Sequence, residues 1–313
     1  MWLEAMMMQH QESNTHARKP QWLKRSLPTG GRHEKVRRLL NKGGLHTVCQ
    51  EAKCPNLWEC FSRRTATFLI MGARCSRNCH FCAIGYGPSG RPDPGEPAKV
   101  AEAVQRLGLR YVVITSVTRD DLEDGGAAHF ATTIEAIHKK VPKAMVEVLV
   151  PDFQGSKTAL HTVLAARPHV LNHNLETVPR LYTSVRPEAF YKRSLELLIR
   201  ARQYDPLRPT KSGLMLGLGE SSEEVEETLQ ELLDAGCLVL TLGQYLQPTR
   251  HHLNVDRFIE PEEFIHWKEK ARRMGFRQVA SGPLVRSSYR AKELYQAFQM
   301  QAIGNDHGRP SPL

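Results

Sequence analysis

From residue 67 onward, short β-branched apolar runs alternate with longer segments whose apolar residues recur at helical spacing. The runs at 67–71, 111–115, 145–150, 169–174, 213–217 and 238–242 have strand length and strand composition. The segments between and after them, 98–107, 127–140, 157–166, 191–204, 222–235 and 261–274, are long enough for amphipathic helices. Ser221, Ser222 and Glu224 read as an N-cap with acids in the first helical turn, and Gly108 and Gly236 stand where helices should stop. A helix follows every strand, the pattern of β/α units on a parallel sheet.

Six such units are too few to close an eight-stranded barrel. The expected fold is α/β, a partial (β/α)6 TIM-like barrel with N-terminal and C-terminal extensions. The expected division is a flexible tail over 1–20, an extension over 21–62 with a short helix at 34–41, the barrel over 63–280, and a C-terminal extension over 281–313. In barrels of this kind the chemistry sits on loops after the carboxyl ends of the strands, so those loops are where candidate residues should lie.

The chain has 313 residues, of which 41% are hydrophobic and 24% charged, as in ordinary globular proteins. No run of about eighteen apolar residues suggests a membrane span, and no secretory leader is recognisable at the start. The expected location is therefore cytoplasmic, where thiols stay reduced and clustered cysteines are better metal ligands than disulfide partners. The formal charge of +10 would attract an acidic partner. Its basic residues run from Arg18 to Arg309 with no zinc-finger or RNA-recognition signature, so an acidic protein surface is expected in preference to nucleic acid.

Six of the seven cysteines fall within 34 residues, as Cys49-x4-Cys54-x5-Cys60 and Cys75-x3-Cys79-x2-Cys82. Structural zinc sites usually close with four protein ligands, whereas each group here supplies three thiolates and leaves one position open. The second triad follows the first expected strand, where a loop can present three sulfurs to an iron-sulfur cubane. A zinc knuckle completed by His80 or a distant residue is the competing reading. The spacing of the first triad is shared by many metal loops.

The Cx3Cx2C loop followed by β/α repeats resembles the radical SAM (S-adenosylmethionine) superfamily. Over 19–299 the chain further resembles the lipoyl synthases, in KPQWLK (19–24), PNLWE (55–59), TSVTRDDL (115–122), NHNLET (172–177) and RSSYRA (286–291). The resemblance implies insertion of sulfur at C6 and C8 of an octanoyl chain on a carrier-protein lysine, with SAM cleaved to a deoxyadenosyl radical. It implies two [4Fe-4S] clusters. Cys75, Cys79 and Cys82 would hold the one that binds SAM, while Cys49, Cys54, Cys60 and Ser288 would hold an auxiliary one consumed as sulfur donor. Without the resemblance, Ser287 and Ser288 read as the N-cap of a helix over 289–297.

Ser116, Asp120, Asn172, Asn174, Glu176 and Arg186 are the expected SAM contacts. Arg186 also reads as a surface arginine, and Glu220 as an acid serving the next helix. No catalytic residue is expected beyond the cluster ligands. Expected partners are an octanoylated lipoyl carrier domain or H protein, a reductant such as ferredoxin or flavodoxin, and an iron-sulfur cluster carrier, with no membrane and no nucleic acid. Cys237 reads as a small buried apolar residue, His251 and His252 as polar loop residues, and Lys35, Arg37 and Arg38 as a solvated helix face. Another radical SAM enzyme with an auxiliary cluster, and a non-enzymatic metal-binding or nucleic-acid-binding protein, are the alternative functions.

Overall fold

The computed structural model describes residues 19–24, 32–62 and 67–306. The tail expected over 1–20 lies outside them except for Lys19 and Pro20. The N-terminal extension carries α1 (Arg32–Gly43), β1 (His46–Thr47), α2 (Val48–Glu51) and α3 (Leu57–Ser62). The barrel opens with β2 (Thr67–Ile70), and the cysteine loop after it contains two short strands, β3 (Arg74–Cys75) and β4 (Gly85–Tyr86). Then follow α4 (Glu96–Leu107), β5 (Tyr111–Ser116), α5 (Ala127–Lys140), β6 (Met145–Leu149), α6 (Lys157–Ala165) and β7 (Val170–Asn172). The chain continues through α7 (Tyr182–Val185), α8 (Tyr191–Tyr204), β8 (Thr210–Leu216), α9 (Ser222–Asp234), β9 (Val239–Gln244), α10 (Pro261–Met274), β10 (Gln278–Gly282) and α11 (Ala291–Asp306).

The main sheet runs in the order β1-β2-β5-β6-β7-β8-β9-β10. Its pairings are parallel except for β1 on β2, which is antiparallel. The expected open (β/α)6 body is present, and β10 adds a seventh parallel strand. Its sequence, QVASG, has no apolar run, and only Gln278 and Val279 are buried, so the strand lacks the buried apolar stretch that marks its neighbours. β5 shows the contrast: Tyr111–Thr115 are all buried, as expected of a parallel strand covered on both faces.

Local signals set the helix ends. Ser221 and Glu224 form a reciprocal capping box on α9. Gly108 ends α4 in the left-handed conformation, at φ 63. Val36, Leu40 and Phe61 of the extension share one core with Phe68, Ile70, Val100 and Val104. Each such fully buried side chain contributes about 1.5–3 kcal/mol, which fixes the extension to the first β/α unit.

α11 packs against the amino ends of β5 to β9, with Leu294, Tyr295 and Phe298 facing Tyr111, Glu147, Val170, Lys211 and Val239. Just inside, buried Glu147 accepts from Lys211 Nζ at 2.9 Å, Tyr111 Oη at 2.5 Å and Asn172 Nδ2 at 3.2 Å. This network plugs the amino end, and the polar loops gather at the carboxyl end. Among the described residues no helix is long and apolar enough to cross a membrane.

Candidate functional site

The second cysteine triad sits where β2 runs out at the carboxyl end of the barrel. Met71 and Gly72 take positive φ values of 67 and 95 and turn the chain into the cysteine loop. The loop is keyed to the neighbouring strand ends. Thr118 N and Arg77 N donate to Cys75 Sγ at 3.3 and 3.4 Å, and Ser76 Oγ donates to Thr118 O at 3.0 Å. Arg77, almost wholly buried, forks to Asp120 (2.6 and 3.0 Å) and to Asp152 (2.6 and 3.0 Å). On the far side, His80 N donates to Val185 O at 2.9 Å and His252 Nε2 donates to Cys82 O at 2.9 Å.

Burial pushes the Cys79 thiol up to about 11 and the Cys82 thiol up to about 12, and the neighbouring thiols add to both shifts. Metal loading must therefore expel protons. The sulfurs influence one another, yet among the described residues no three Cys, His, Asp or Glu side chains converge on a single ion. His80, the nearest candidate for a fourth zinc ligand, has its Nδ1 turned to Ser184 O at 2.7 Å. Three separate thiols on one short loop suit the corners of a cubane.

The barrel interior beside this loop is polar. Asn174 Nδ2 donates to Glu176 Oε1 at 3.0 Å, and Arg186 Nη1 donates to Asn174 O and Leu175 O at 3.0 and 3.1 Å over the Tyr182 ring. Arg186 is buried and so is not a surface arginine. Burial raises the Glu176 carboxyl against the opposing pull of Arg186, and both charges act on Cys79, which places this trio next to the cysteine loop. Ser116 Oγ, His173 Nε2, Asn174 Oδ1 and Arg186 Nε are buried with no protein partner. Buried polar atoms are rarely left so, and a polar ligand such as SAM would satisfy them. Asp120 is engaged by Arg77, and Asn172 donates its Nδ2 to Glu147 while its Oδ1 stays buried without a partner. Glu220 holds the turn after β8, accepting from Gly217 N and Leu218 N at 2.6 and 2.9 Å.

The first triad lies on the N-terminal extension, with Cys49 on α2, Cys54 in the following turn and Cys60 on α3. Burial, then the nearby Cys54, push the Cys49 thiol up to about 11, while hydrogen bonds from Thr67 oppose the shift. Thr67 Oγ1 also donates to Ser288 Oγ at 2.9 Å. Asn56 Nδ2 reaches Leu284 O at 2.7 Å, and Tyr289 Oη donates to Glu59 Oε1 at 3.1 Å. The segment after β10 is thus stitched onto the triad, and α11 starts only at Ala291. The Ser288 hydroxyl points across the chain to Thr67.

Two families match the sequence: the radical SAM superfamily over residues 69–232 and the N-terminal domain of lipoyl synthase over residues 2–54. Lipoyl synthase from Desulfotalea psychrophila is 58% identical, with 90% of this chain and 94% of that protein aligned. Those from Caldanaerobacter subterraneus subsp. tengcongensis and Proteus mirabilis are 55% and 52% identical, covering 88% and 91% of this chain and 96% and 89% of theirs. The chain belongs to the lipoyl synthase family. Among solved structures, methylornithine synthase (PylB) matches with a TM-score of 0.53 at 13% identity, covering 86% of this chain and 88% of that one. Streptococcus suis SuiB with its precursor peptide SuiA matches at 0.54 and 11%, covering 80% and 52%. Both share the fold. As a radical SAM lipoyl synthase the chain is a sulfur-inserting enzyme that works with a [4Fe-4S] cluster and SAM.

Sequence reasoning missed three residues of this lipoyl synthase site. Arg77 lies inside the cysteine motif but carries no signal of its own there. His173 stood unremarked within NHNLET. Arg286 is held over β9, where Gly243 is required: a Cβ there would come within 2.1 Å of Val285 O and 3.2 Å of Arg286 Nη1. Burial lowers the pKa of Arg286 while Cys54 and Glu176 pull it back up, so its charge acts on a cysteine of the first triad and on the glutamate that also acts on Cys79.

Proposed function

We propose that the two triads hold two [4Fe-4S] clusters with different tasks. Cys75, Cys79 and Cys82 hold the one that binds SAM. Cys49, Cys54, Cys60 and Ser288 hold the auxiliary one spent as sulfur donor for C6 and C8 of an octanoyl chain on a carrier lysine. The observation that carries the reading is the bond from Thr67 Oγ1 to Ser288 Oγ; Thr67 also lowers the Cys49 thiol against its burial, and the two together support a fourth, oxygen ligand for the first triad. When bound, SAM supplies the hydrogen-abstracting radical and the auxiliary cluster supplies sulfide.

The chain's own residues position these groups and exclude water. Asn174, Glu176, Arg186 and Ser116 offer buried polar atoms to SAM beside Cys79. Arg77, Asp120 and Asp152 hold the cysteine loop at the strand ends. Arg286 provides fixed positive charge that acts on Cys54 and Glu176, and the α11 plug keeps water from entering through the amino end. The carrier domain or H protein, a ferredoxin or flavodoxin reductant, an iron-sulfur cluster carrier, the cytoplasmic location and the division at 21–62, 63–280 and 281–313 belong to this reading.

The test is conversion of an octanoyl-lysyl peptide by anaerobically reconstituted wild type and Ser288→Ala. Wild type should hold about eight irons, as two cubanes require, release deoxyadenosine and return a dithiolated peptide. Ser288→Ala should still cleave SAM but lose sulfur insertion. SAM cleavage by wild type without sulfur gain would sink the assignment.

A further inference from the structure

Cys75 is paired with Tyr86 across the two-stranded ribbon of β3 and β4. Tyr86 therefore lies one strand spacing, about 4.8 Å of backbone, from a cysteine of the SAM-side triad. It is 56% exposed. An aromatic ring that exposed, on a strand paired with a cysteine of the triad, calls for a partner.

The groups around it are cationic and held in place. Arg74 is exposed, and its Nη2 donates to Tyr86 O at 3.0 Å. Its guanidinium rests on Gly87, at φ 135, where a Cβ would come within 2.6 Å of it. Among the described residues no carboxylate pairs with Arg74. Ser89 Oγ donates to Arg74 O, and exposed Arg91 follows two residues later. Across the loop, the bonds from His252 Nε2 to Cys82 O and from Leu253 N to His80 O bring exposed Arg250 and His251 to the same rim. Asp93, the acid nearest in sequence to Arg91, is already paired with Lys99 at 2.8 Å.

We propose that this face, Tyr86 flanked by Arg74 and Arg91 with Arg250 and His251 across the loop, is the docking surface for an acidic, low-potential one-electron carrier protein. The inference rests on the assignment of Cys75, Cys79 and Cys82 to the reducible cluster. In the step served, one electron leaves the donor, which is oxidised, and enters the cluster, which is reduced; no proton or group is transferred. Unpaired arginines around a tyrosine supply both the steering charge and the contact chemistry for an anionic protein surface. The octanoylated carrier is the other macromolecular partner, and its KM, read below, separates its surface from this one.

The experiment compares deoxyadenosine release by the reconstituted holoenzyme driven by reduced flavodoxin or by dithionite, for wild type, Arg74→Glu, Arg91→Glu and Tyr86→Ala. The charge reversals should cut the flavodoxin-driven rate about tenfold or more at low salt, within the range of electrostatic steering, and the deficit should shrink as ionic strength rises. Tyr86→Ala should lower that rate at all salt concentrations. The dithionite-driven rate and the KM for octanoylated carrier should stay at wild-type values. Flavodoxin rates within twofold of wild type, dithionite rates that fall in parallel, or a raised KM for the carrier would each overturn the proposal. A wild type that cleaves no SAM with dithionite would instead overturn the cluster assignment beneath it.

Discussion

Thr67 Oγ1 donates to Ser288 Oγ at 2.9 Å, joining the first residue of β2 to a loop 221 positions later in the chain. Because Thr67 also acts on the Cys49 thiol, opposing the rise that burial imposes on it, one residue relates the serine to the triad. Thr67→Val keeps shape and removes the donor. It should cost about 1 kcal/mol, the usual net value of such a bond, and speed iron loss to a chelator about fivefold, the same energy expressed as a rate. Thr67→Ser should restore both. Chelation kinetics identical in Thr67→Val and wild type would remove the bridge from the account of this site.

Arg77 and Asp152 form the deepest ion pair of the cysteine loop, with side chains 4% and 0% exposed. Burial alone would raise the Asp152 carboxyl, but the hydrogen bonds and charge of Arg77 outweigh it and hold it at about 2, against an ordinary 3.8. A folded-state pKa below the unfolded one stabilises the fold above pH 3.8, and the contribution drains away as pH falls toward 2; its size is about 2 kcal/mol. Arg77→Leu leaves the carboxylate with Arg193 at 3.5 Å and the Gln154 amide at 3.0 Å. The loss should be about 3 kcal/mol, the low end for breaking a buried pair, measured by urea unfolding at pH 7. A loss under 1 kcal/mol would show that Arg193 takes over.

The strands that read clearly in the sequence are those whose surroundings are uniform. Residues 111–115 are buried on both faces and therefore apolar throughout, and the β/α count followed from such runs. β10 escaped because an edge strand of small and polar residues has no periodic signature. The cysteine groups were legible because metal chemistry restricts both residue type and spacing. Ser288 was not legible from its own surroundings, since a serine before a helix reads as a cap, and only the RSSY resemblance selected it. His173, Arg77 and Arg286 could not be found at all, because their roles depend on burial and on partners 23 to more than 200 residues away, which local pattern does not encode.

The role proposed for Arg186 in SAM binding is separable from its structural one. It tethers Asn174 O and Leu175 O through Nη1 and leaves Nε free inside the barrel. Lysine keeps the charge but not the planar fork. Arg186→Lys should weaken SAM binding to the holoenzyme about tenfold, as loss of one charge-assisted hydrogen bond requires, with KM for the octanoyl peptide unchanged. Equilibrium dialysis with labelled SAM measures the first quantity. An unchanged affinity would place SAM elsewhere.

His173 should give the fold a second and distinct acid sensitivity. Its Nδ1 donates to Val150 O at 2.8 Å, so the buried Nε2 is a bare acceptor with no protein partner. Burial, then the charge of Arg186, lower its pKa to about 4 from an ordinary 6.5. The unfolded chain therefore takes up this proton first as pH falls. Stability is complete above pH 6.5, declines between 6.5 and 4, and levels off below 4, with a total loss of about 3 kcal/mol. The Asp152 contribution drains only below 3.8, so the two windows separate. Urea unfolding at pH 7, 5.5 and 4.5 should show the upper slope in wild type and not in His173→Gln, whose amide does not titrate. Parallel slopes in the two proteins would mean that His173 is already protonated or solvated in the fold, and the orphaned Nε2 would then cease to be an open acceptor for SAM.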